Sequence, residues 1–180
     1  MVNEGRLVNE KRRALVNDIY ERYTTEIENS FVNTTICENN DLRSKRVTGT
    51  KQTDIVFEHM DSVSAVMKYA GEDTAILNFA NYETPGGGFL YGAMAQEEAL
   101  CLESTLYPVI SNHEFYYKEN RQSLNYVGVL YSNRALWSPG IVFFRDGKEK
   151  YCDVITCAAP NASAYLSAGG SKVVNEKALY

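Results

Sequence analysis

Three consecutive glycines, Gly86, Gly87 and Gly88, are followed after seven residues by Gln96, Glu97 and Glu98. Glycines reach backbone conformations that other residues adopt only at a cost, and Pro85 stiffens the entry to the run. Placed between a strand and a helix, the amides of such a loop could cradle a phosphate or diphosphate. The pattern is neither GxGxxG nor Walker A, because no Lys-Ser/Thr follows the glycines. Taken alone, the triplet suits a tight turn as well as a ligand cradle. Glu97 and Glu98 fall in the first turn of the following helix, where the helix dipole by itself favours acids. The same position lies beside a potential phosphate-ribose site, where a carboxylate serves as general acid or base. With only two histidines in the chain, carboxylates are the natural proton carriers. Consecutive helical residues do not face each other, so the pair does not clamp one glycosidic bond from opposite sides. One glutamate should catalyse and the other orient. A glutamate that donates a proton at neutral pH must be lifted from about 4.3 toward about 6 to 7, by burial or by its like-charged neighbour and against the pull of the helix N-terminus.

The elements that must position these groups are legible as patterns. Leu15, Ile19 and Tyr23, with Val16, Tyr20 and Ile27, recur at helical steps and predict an amphipathic helix over Asn9 to Glu28, with Asn9 as its N-cap. A polar stretch follows, with a weak strand at Thr34 to Cys37 and a basic segment (Arg43, Lys45, Arg46, Lys51) read as a solvated loop. Asp54 to Glu58 reads as a strand. Asp61 to Ala70 reads as a short helix capped by Asp61 or Ser62 and closed by Gly71. Ala75 to Phe79 (AILNF) is expected as a continuous apolar strand buried on both faces. It leads into the glycine loop and then into QEEALCLESTLY, a helix with Ala99, Leu102 and Leu106 on one face. Strands return at Tyr126 to Tyr131, Ile141 to Phe144 and Cys152 to Cys157, with Pro139-Gly140 and Asp146-Gly147 as turns between them. This order predicts an α/β layered domain with a mixed sheet, and no repeat or interior linker divides it.

Composition narrows the class. The chain has 180 residues, 44% hydrophobic and 23% charged, which is ordinary soluble-globular usage and one domain's worth of length. A net charge of −5 and a pI near 5.1 argue against broad electrostatic binding to nucleic acid or anionic membrane. An anionic ligand must then be held locally. Cys37, Cys101, Cys152 and Cys157 form no CxxC pair and lie far from His59 and His113, so no zinc site is expected and the cysteines read as buried thiols of an intracellular protein. No apolar signal segment opens the chain and no stretch is long enough to span a membrane. The sequons at Asn33 and Asn161 then read as chance matches.

Three separated motifs in order resemble one family. Gly86-Gly87-Gly88 with Gln96-Glu97-Glu98 is similar to the GGG…QEE signature of bacterial and microbial-type poly(ADP-ribose) glycohydrolases, which have a macrodomain fold. Trp137 to Asp146 (WSPGIVFFRD) resembles their YSP-x-V-x-x-FRD stretch, and Asp153 to Asn161 (DVITCAAPN) their VIT-x-x-APN strand end. The resemblance implies a three-layer α/β/α macrodomain-like fold with a mixed central sheet, here a single domain over residues 1–180 with an N-terminal helical extension over about 1–30. It implies that Glu98 is the catalytic residue and that Glu97 holds the reacting ribose through its hydroxyls. Asn81 matches the asparagine that contacts that ribose. Gly86, Gly87, Gly88 and Gln96 complete the ADP-ribose site, with the diphosphate over the glycines.

The implied substrate is ADP-ribose or its polymer on modified proteins. Its ribose-ribose bond is cut by protonation of the leaving oxygen, an oxocarbenium-like transition state and attack by water, with no metal and no cofactor. The family continues beyond the APN strand to a glycine-rich GA-x-GCG-x-F-x-N loop that has no counterpart before Tyr180. The resemblance therefore covers nearly all of this sequence and about the N-terminal two-thirds of a family member. The expectation divides among a fragment, a degenerate member, and a chain whose fold a second chain completes. A macrodomain that reads ADP-ribose without turnover is the alternative function, against which the paired glutamates argue. An unrelated α/β nucleotide-binding or scaffold domain is the third. Phe89 or Tyr91 could line the ribose pocket or simply pack, Cys157 reads as a packed thiol, and Arg145 as an ion pair with Asp146 or Glu149.

Overall fold

The apolar stripe near the N-terminus builds helix, and more of it than expected. In the computed structural model, which describes residues 2–38, 53–122, 133–159, 166–167 and 169, α1 (Val2–Arg22) continues as α2 (Thr24–Asn33). The break between them is a kink at Tyr23 rather than an end. Tyr23 N still donates to Ile19 O at 3.0 Å and Ile27 N to Tyr23 O at 2.9 Å, so Ile19, Tyr23 and Ile27 form one buried stripe. Asn9 does not cap this helix. It lies within α1, where Nδ2 donates to Leu90 O at 3.0 Å and Oδ1 accepts from Arg13 Nε; a tertiary acceptor has claimed the side chain, and the helix starts upstream.

β1 (Thr35–Glu38) follows within a residue of the expected strand. The basic segment at Arg43, Lys45, Arg46 and Lys51 lies outside the described residues, as does the strand expected at Tyr126 to Tyr131. Asp54 to Glu58 is not a strand: Ile55, Val56 and Phe57 stand 76%, 72% and 92% exposed. α3 (Ser62–Tyr69) forms as expected, with the Asp61 carboxylate accepting from Ser64 N at 3.0 Å as a cap. It closes at Ala70, in extended backbone, before Gly71 is reached.

The sheet is mixed, in the order β1-β3-β4-β2. β3 (Arg134–Arg145) pairs antiparallel with β1 and with β4 (Lys148–Cys157), and β2 (Ala75–Phe79) runs parallel to β4. The Asp146-Gly147 turn closes the β3–β4 hairpin with both residues at positive φ, 51° and 71°, as a tight hairpin requires. Pro139-Gly140 is not a turn between strands. It is an irregularity inside β3, where the register shifts between Ser138 and Ile141. β2 is an edge strand among the described residues, not a strand buried on both faces: Leu77 is 44% and Phe79 64% exposed, while Asn78 is fully buried.

The expected helix QEEALCLESTLY is two helices, α4 (Gln96–Leu102) and α5 (Leu106–Ser111), and α6 (Glu114–Gln122) follows unannounced. Ser104 makes the break. Its hydroxyl donates to Leu100 O at 2.6 Å, closing α4, and accepts from Leu106 N at 3.1 Å, opening α5. The linking residues dock on β3 through Thr105 N to Val142 O and Phe144 N to Glu103 O. As a result the buried face of α4 carries Glu97, Glu98, Leu100 and Cys101, while Ala99 and Leu102 of the expected face are half-buried. Helices and sheet share one core, in which Val63, Val66, Leu100, Leu106, Val109, Ile110, Tyr117, Leu136, Ile141, Phe143 and Val154 are closed to solvent. Burial of each such aliphatic or aromatic side chain contributes about 1.5–3 kcal/mol, which is what fixes α4 against the sheet.

Candidate active site

α4 is latched to the sheet by its first side chain. Gln96 Oε1 accepts from Phe79 N at 2.9 Å and Gln96 Nε2 donates to Leu77 O at 2.8 Å, so a side-chain amide occupies the open edge of β2 as a neighbouring strand would. Both polar ends of Gln96 thus bond the backbone of β2 and fix the start of α4.

The next two side chains turn inward, Glu97 to 3% and Glu98 to 7% exposure. Glu97 Oε1 accepts from Gly86 N at 3.1 Å and from Asn78 Nδ2 at 3.3 Å, and Oε2 accepts from Asn81 N at 2.8 Å. Glu98 Oε1 accepts from Gly88 N at 2.8 Å and Oε2 from Ala95 N at 3.1 Å. Gly87 N donates to Thr84 O at 3.0 Å. All three glycine amides are therefore bound within the protein, those of Gly86 and Gly88 to the two carboxylates.

The glycines are required by this approach. Gly87 has φ +54°, and a Cβ there would lie 2.6 Å from Glu98 Oε1 and 3.2 Å from Glu97 Oε2. Both carboxylates therefore crowd the side of Gly87 where a side chain would begin. Asn81 Oδ1 accepts from Glu83 N and Thr84 N, both at 2.9 Å, and so fixes the turn that delivers its own backbone N–H to Glu97. The structure thus brings Asn81, Gly86, Gly87, Gly88, Glu97 and Glu98 into one cluster.

Burial lifts Glu97 to about 7, against the bonds from Asn81 N, Asn78 and Gly86 N that favour its charged form; Glu98 adds to the lift. The lift belongs to the more deeply buried and more fully bonded of the two carboxyls.

Three neighbours were not singled out by sequence. Asn78 bonds both Glu97 and, at 3.3 Å, Thr156 Oγ1. Tyr117 is fully buried beside Glu97 and Cys101, and burial pushes its hydroxyl well up. The signal for Asn78 was present, since a polar amide in the middle of an apolar strand is disfavoured unless it has a partner. Phe89 is fully buried, with its ring 5.0 Å from that of Tyr107 and under the Arg12 guanidinium, so it packs; Tyr91 is exposed. Cys157 is a half-buried thiol pushed up by burial, and all four cysteines are free. Arg145 does form ion pairs, but with Glu103 (2.5 Å) and Asp61 (3.0 Å); Glu149 instead accepts from the Tyr23 hydroxyl.

The family model described as the microbial-type PARG catalytic domain matches residues 1–146. Among curated proteins nothing matches. The fold is similar to that of poly(ADP-ribose) glycohydrolase from Thermomonospora curvata (TM-score 0.78, 24% identity), covering 94% of this chain and 71% of that one. The same enzyme bound to the inhibitor ADP-HPD gives 0.77 at 25% identity, covering 94% and 70%. The Deinococcus radiodurans enzyme in complex with ADP-ribose gives 0.68 at 32% identity, covering 78% of this chain and 60% of that one. No helix among the described residues is long and apolar enough to cross a membrane. With its glycine loop closed on paired glutamates and a family match over most of its length, the chain belongs to the microbial-type poly(ADP-ribose) glycohydrolase family.

Proposed function

We propose that this chain hydrolyses the ribose-ribose O-glycosidic bonds of ADP-ribose polymer, releasing ADP-ribose, with Glu98 as acid-base catalyst. The observation that carries the division of labour is the bonding of the two carboxylates. Among the described residues Glu97 accepts three hydrogen bonds that tie β2, the Asn81 turn and the glycine loop together, whereas Glu98 accepts two, both from backbone amides at its own end of the loop. A carboxylate has about four acceptor positions, so Glu98 has more of them left for a reacting group. Glu98 protonates the leaving ribose oxygen as the glycosidic bond breaks, the oxocarbenium-like sugar forms, and Glu98 then takes a proton from the attacking water. Glu97 holds the ribose through its hydroxyls, and the Asn81 side chain contacts the same sugar. Gly86, Gly87 and Gly88 allow the ligand to approach the loop closely, the amides of Gly86 and Gly88 serving the carboxylates and that of Gly87 the Thr84 carbonyl.

The substrate is ADP-ribose polymer on modified proteins, in line with the ADP-ribose and ADP-HPD complexes of the two structural relatives. No nucleic-acid contact is part of the reading. Four free thiols support a reducing, intracellular compartment. We read residues 1–180 as one domain.

A second reading, ADP-ribose recognition without turnover, rests on the complex of the Deinococcus radiodurans relative with ADP-ribose. The experiment is polymer hydrolysis by the 180-residue chain beside a version extended at its C-terminus, with ADP-ribose titrated calorimetrically into each. Release of ADP-ribose by the shorter chain supports the first reading. Binding without release, restored by extension, supports the second. Absence of binding in both contradicts each of them.

A further inference from the structure

Asn78 is fully buried within β2, next to its last residue. Its Nδ2 lies 3.3 Å from Glu97 Oε1 and 3.3 Å from Thr156 Oγ1, and its Oδ1 is buried with no hydrogen-bond partner among the described residues. An orphaned buried acceptor is destabilising and calls for a reason. A half turn of the amide about its last bond exchanges oxygen for nitrogen at the same place. Thr156 suits either orientation, because a hydroxyl both donates and accepts. Only Glu97 discriminates: a carboxylate takes N–H, whereas a carboxylic acid offers O–H and needs an oxygen.

We propose that Asn78 is a positioning residue whose side-chain amide turns over to follow the charge on Glu97, nitrogen toward the carboxylate and oxygen toward the carboxylic acid. The inference rests on the reading of Glu97 as the group that holds the ribose. In the neutral state the Glu97 proton goes to Asn78 Oδ1, Oε1 keeps its bond from Gly86 N, and Oε2 keeps its bond from Asn81 N. Glu97 then presents the same acceptor to a ribose hydroxyl in both charge states. Because burial sets Glu97 at about 7, both states are populated at neutral pH.

The other titratable groups bearing on Glu97 are Glu98 and Cys101 on its own helix and Tyr117 on α6. Burial pushes Cys101 and Tyr117 well above their ordinary values, so both stay neutral across this range, and Glu98 is the other carboxylate of the group.

The test is nuclear magnetic resonance on the full 180-residue chain between about pH 5.5 and 8.5, a range that brackets the Glu97 transition. The Glu97 carboxyl carbon and the Asn78 side-chain NH₂ are expected to titrate with a common midpoint. Asn78→Ala removes both the donor to the charged form and the acceptor of the neutral form, so the Glu97 midpoint is expected to move by less than about half a pH unit, whereas a fixed donor predicts a rise of about one unit. The proposal is overturned if the Asn78 amide resonances stay constant while Glu97 titrates, if Glu97 does not titrate in this range, or if folded Asn78→Ala raises the midpoint by a full unit. The wild-type measurement needs no variant to fold, and none of the readouts needs turnover. Failure of the glycosidase reading therefore shows in hydrolysis and leaves this result distinct.

Discussion

Replacing Gly87 by alanine separates the loop's conformational role from its role against the carboxylates. At φ +54° the substitution forces an L-residue into left-handed backbone, which costs about 1–2 kcal/mol. In a chain of this length that lowers Tm by about 3–6 °C. The added methyl also meets Glu98 Oε1 at 2.6 Å and Glu97 Oε2 at 3.2 Å. Both oxygens are ends of flexible side chains, so they yield and the fold survives. They yield by leaving Gly88 N and Asn81 N, and a displacement approaching 1 Å at reacting groups costs on the order of 10²-fold in rate. Gly140 supplies the control: its φ is +66° and nothing lies within 4 Å of a Cβ placed there. Thermal unfolding and release of ADP-ribose from polymer are measured on both variants. The expected result is a similar fall in Tm for Gly87→Ala and Gly140→Ala, with a loss of about 10²-fold in kcat confined to Gly87→Ala. Gly87→Ala with Gly140→Ala-like turnover would refute the packing of that glycine against the catalytic pair.

Further outcomes follow from the same contacts. Burial raises Glu97 from 4.5 to about 7, so between those values the folded protein keeps a proton that the unfolded chain releases. Its contribution to stability is fully present below pH 4.5 and is lost as pH rises through about 7, a fall on the order of 3 kcal/mol. Urea unfolding from pH 5 to 8 should show this slope, and Glu97→Gln should flatten it; an unchanged slope in the variant contradicts the assignment. Gln96→Glu keeps an acceptor for Phe79 N but removes the donor to Leu77 O, which loosens α4 from β2. It should lower kcat by about tenfold with a stability loss of about 1 kcal/mol, and unaltered kinetics would count against the latch. Arg145→Ala unties Glu103 and Asp61 from β3 and should cost on the order of 1–2 kcal/mol of unfolding free energy while kcat stays within about twofold, because α4 retains its own core contacts; a large loss of kcat at normal stability would overturn that separation.

Local chemistry in the sequence announced the glycine loop, the paired glutamates, the Asp61 cap and the Asp146-Gly147 turn, because each depends on residues close along the chain. What was hidden depends on tertiary partners. The run Ile55-Val56-Phe57 has strand composition, but a strand exists only where an edge accepts it, and at Leu77 and Phe79 the open edge of β2 is held by Gln96. Periodicity placed Ala99 and Leu102 on the buried face of one long helix; Ser104 divides that helix and rotates Glu97 and Glu98 inward. Asn78 was passed over inside an apolar strand, since its value lies in a carboxylate nineteen residues away. The glycines suggested a cradle for a ligand's phosphates; the carboxylates that Gly86 N and Gly88 N bond within the protein lie eleven and ten residues further along the chain.

The central claim is that Glu98 performs the acid-base chemistry, and Glu98→Gln tests it most directly. The variant keeps an oxygen acceptor and the side-chain volume but neither donates a carboxyl proton nor accepts one. Release of ADP-ribose from polymer by Glu98→Gln, followed beside calorimetric binding of ADP-ribose, should fall by at least about 10²-fold with affinity roughly preserved. Wild-type turnover in the folded variant would contradict the account.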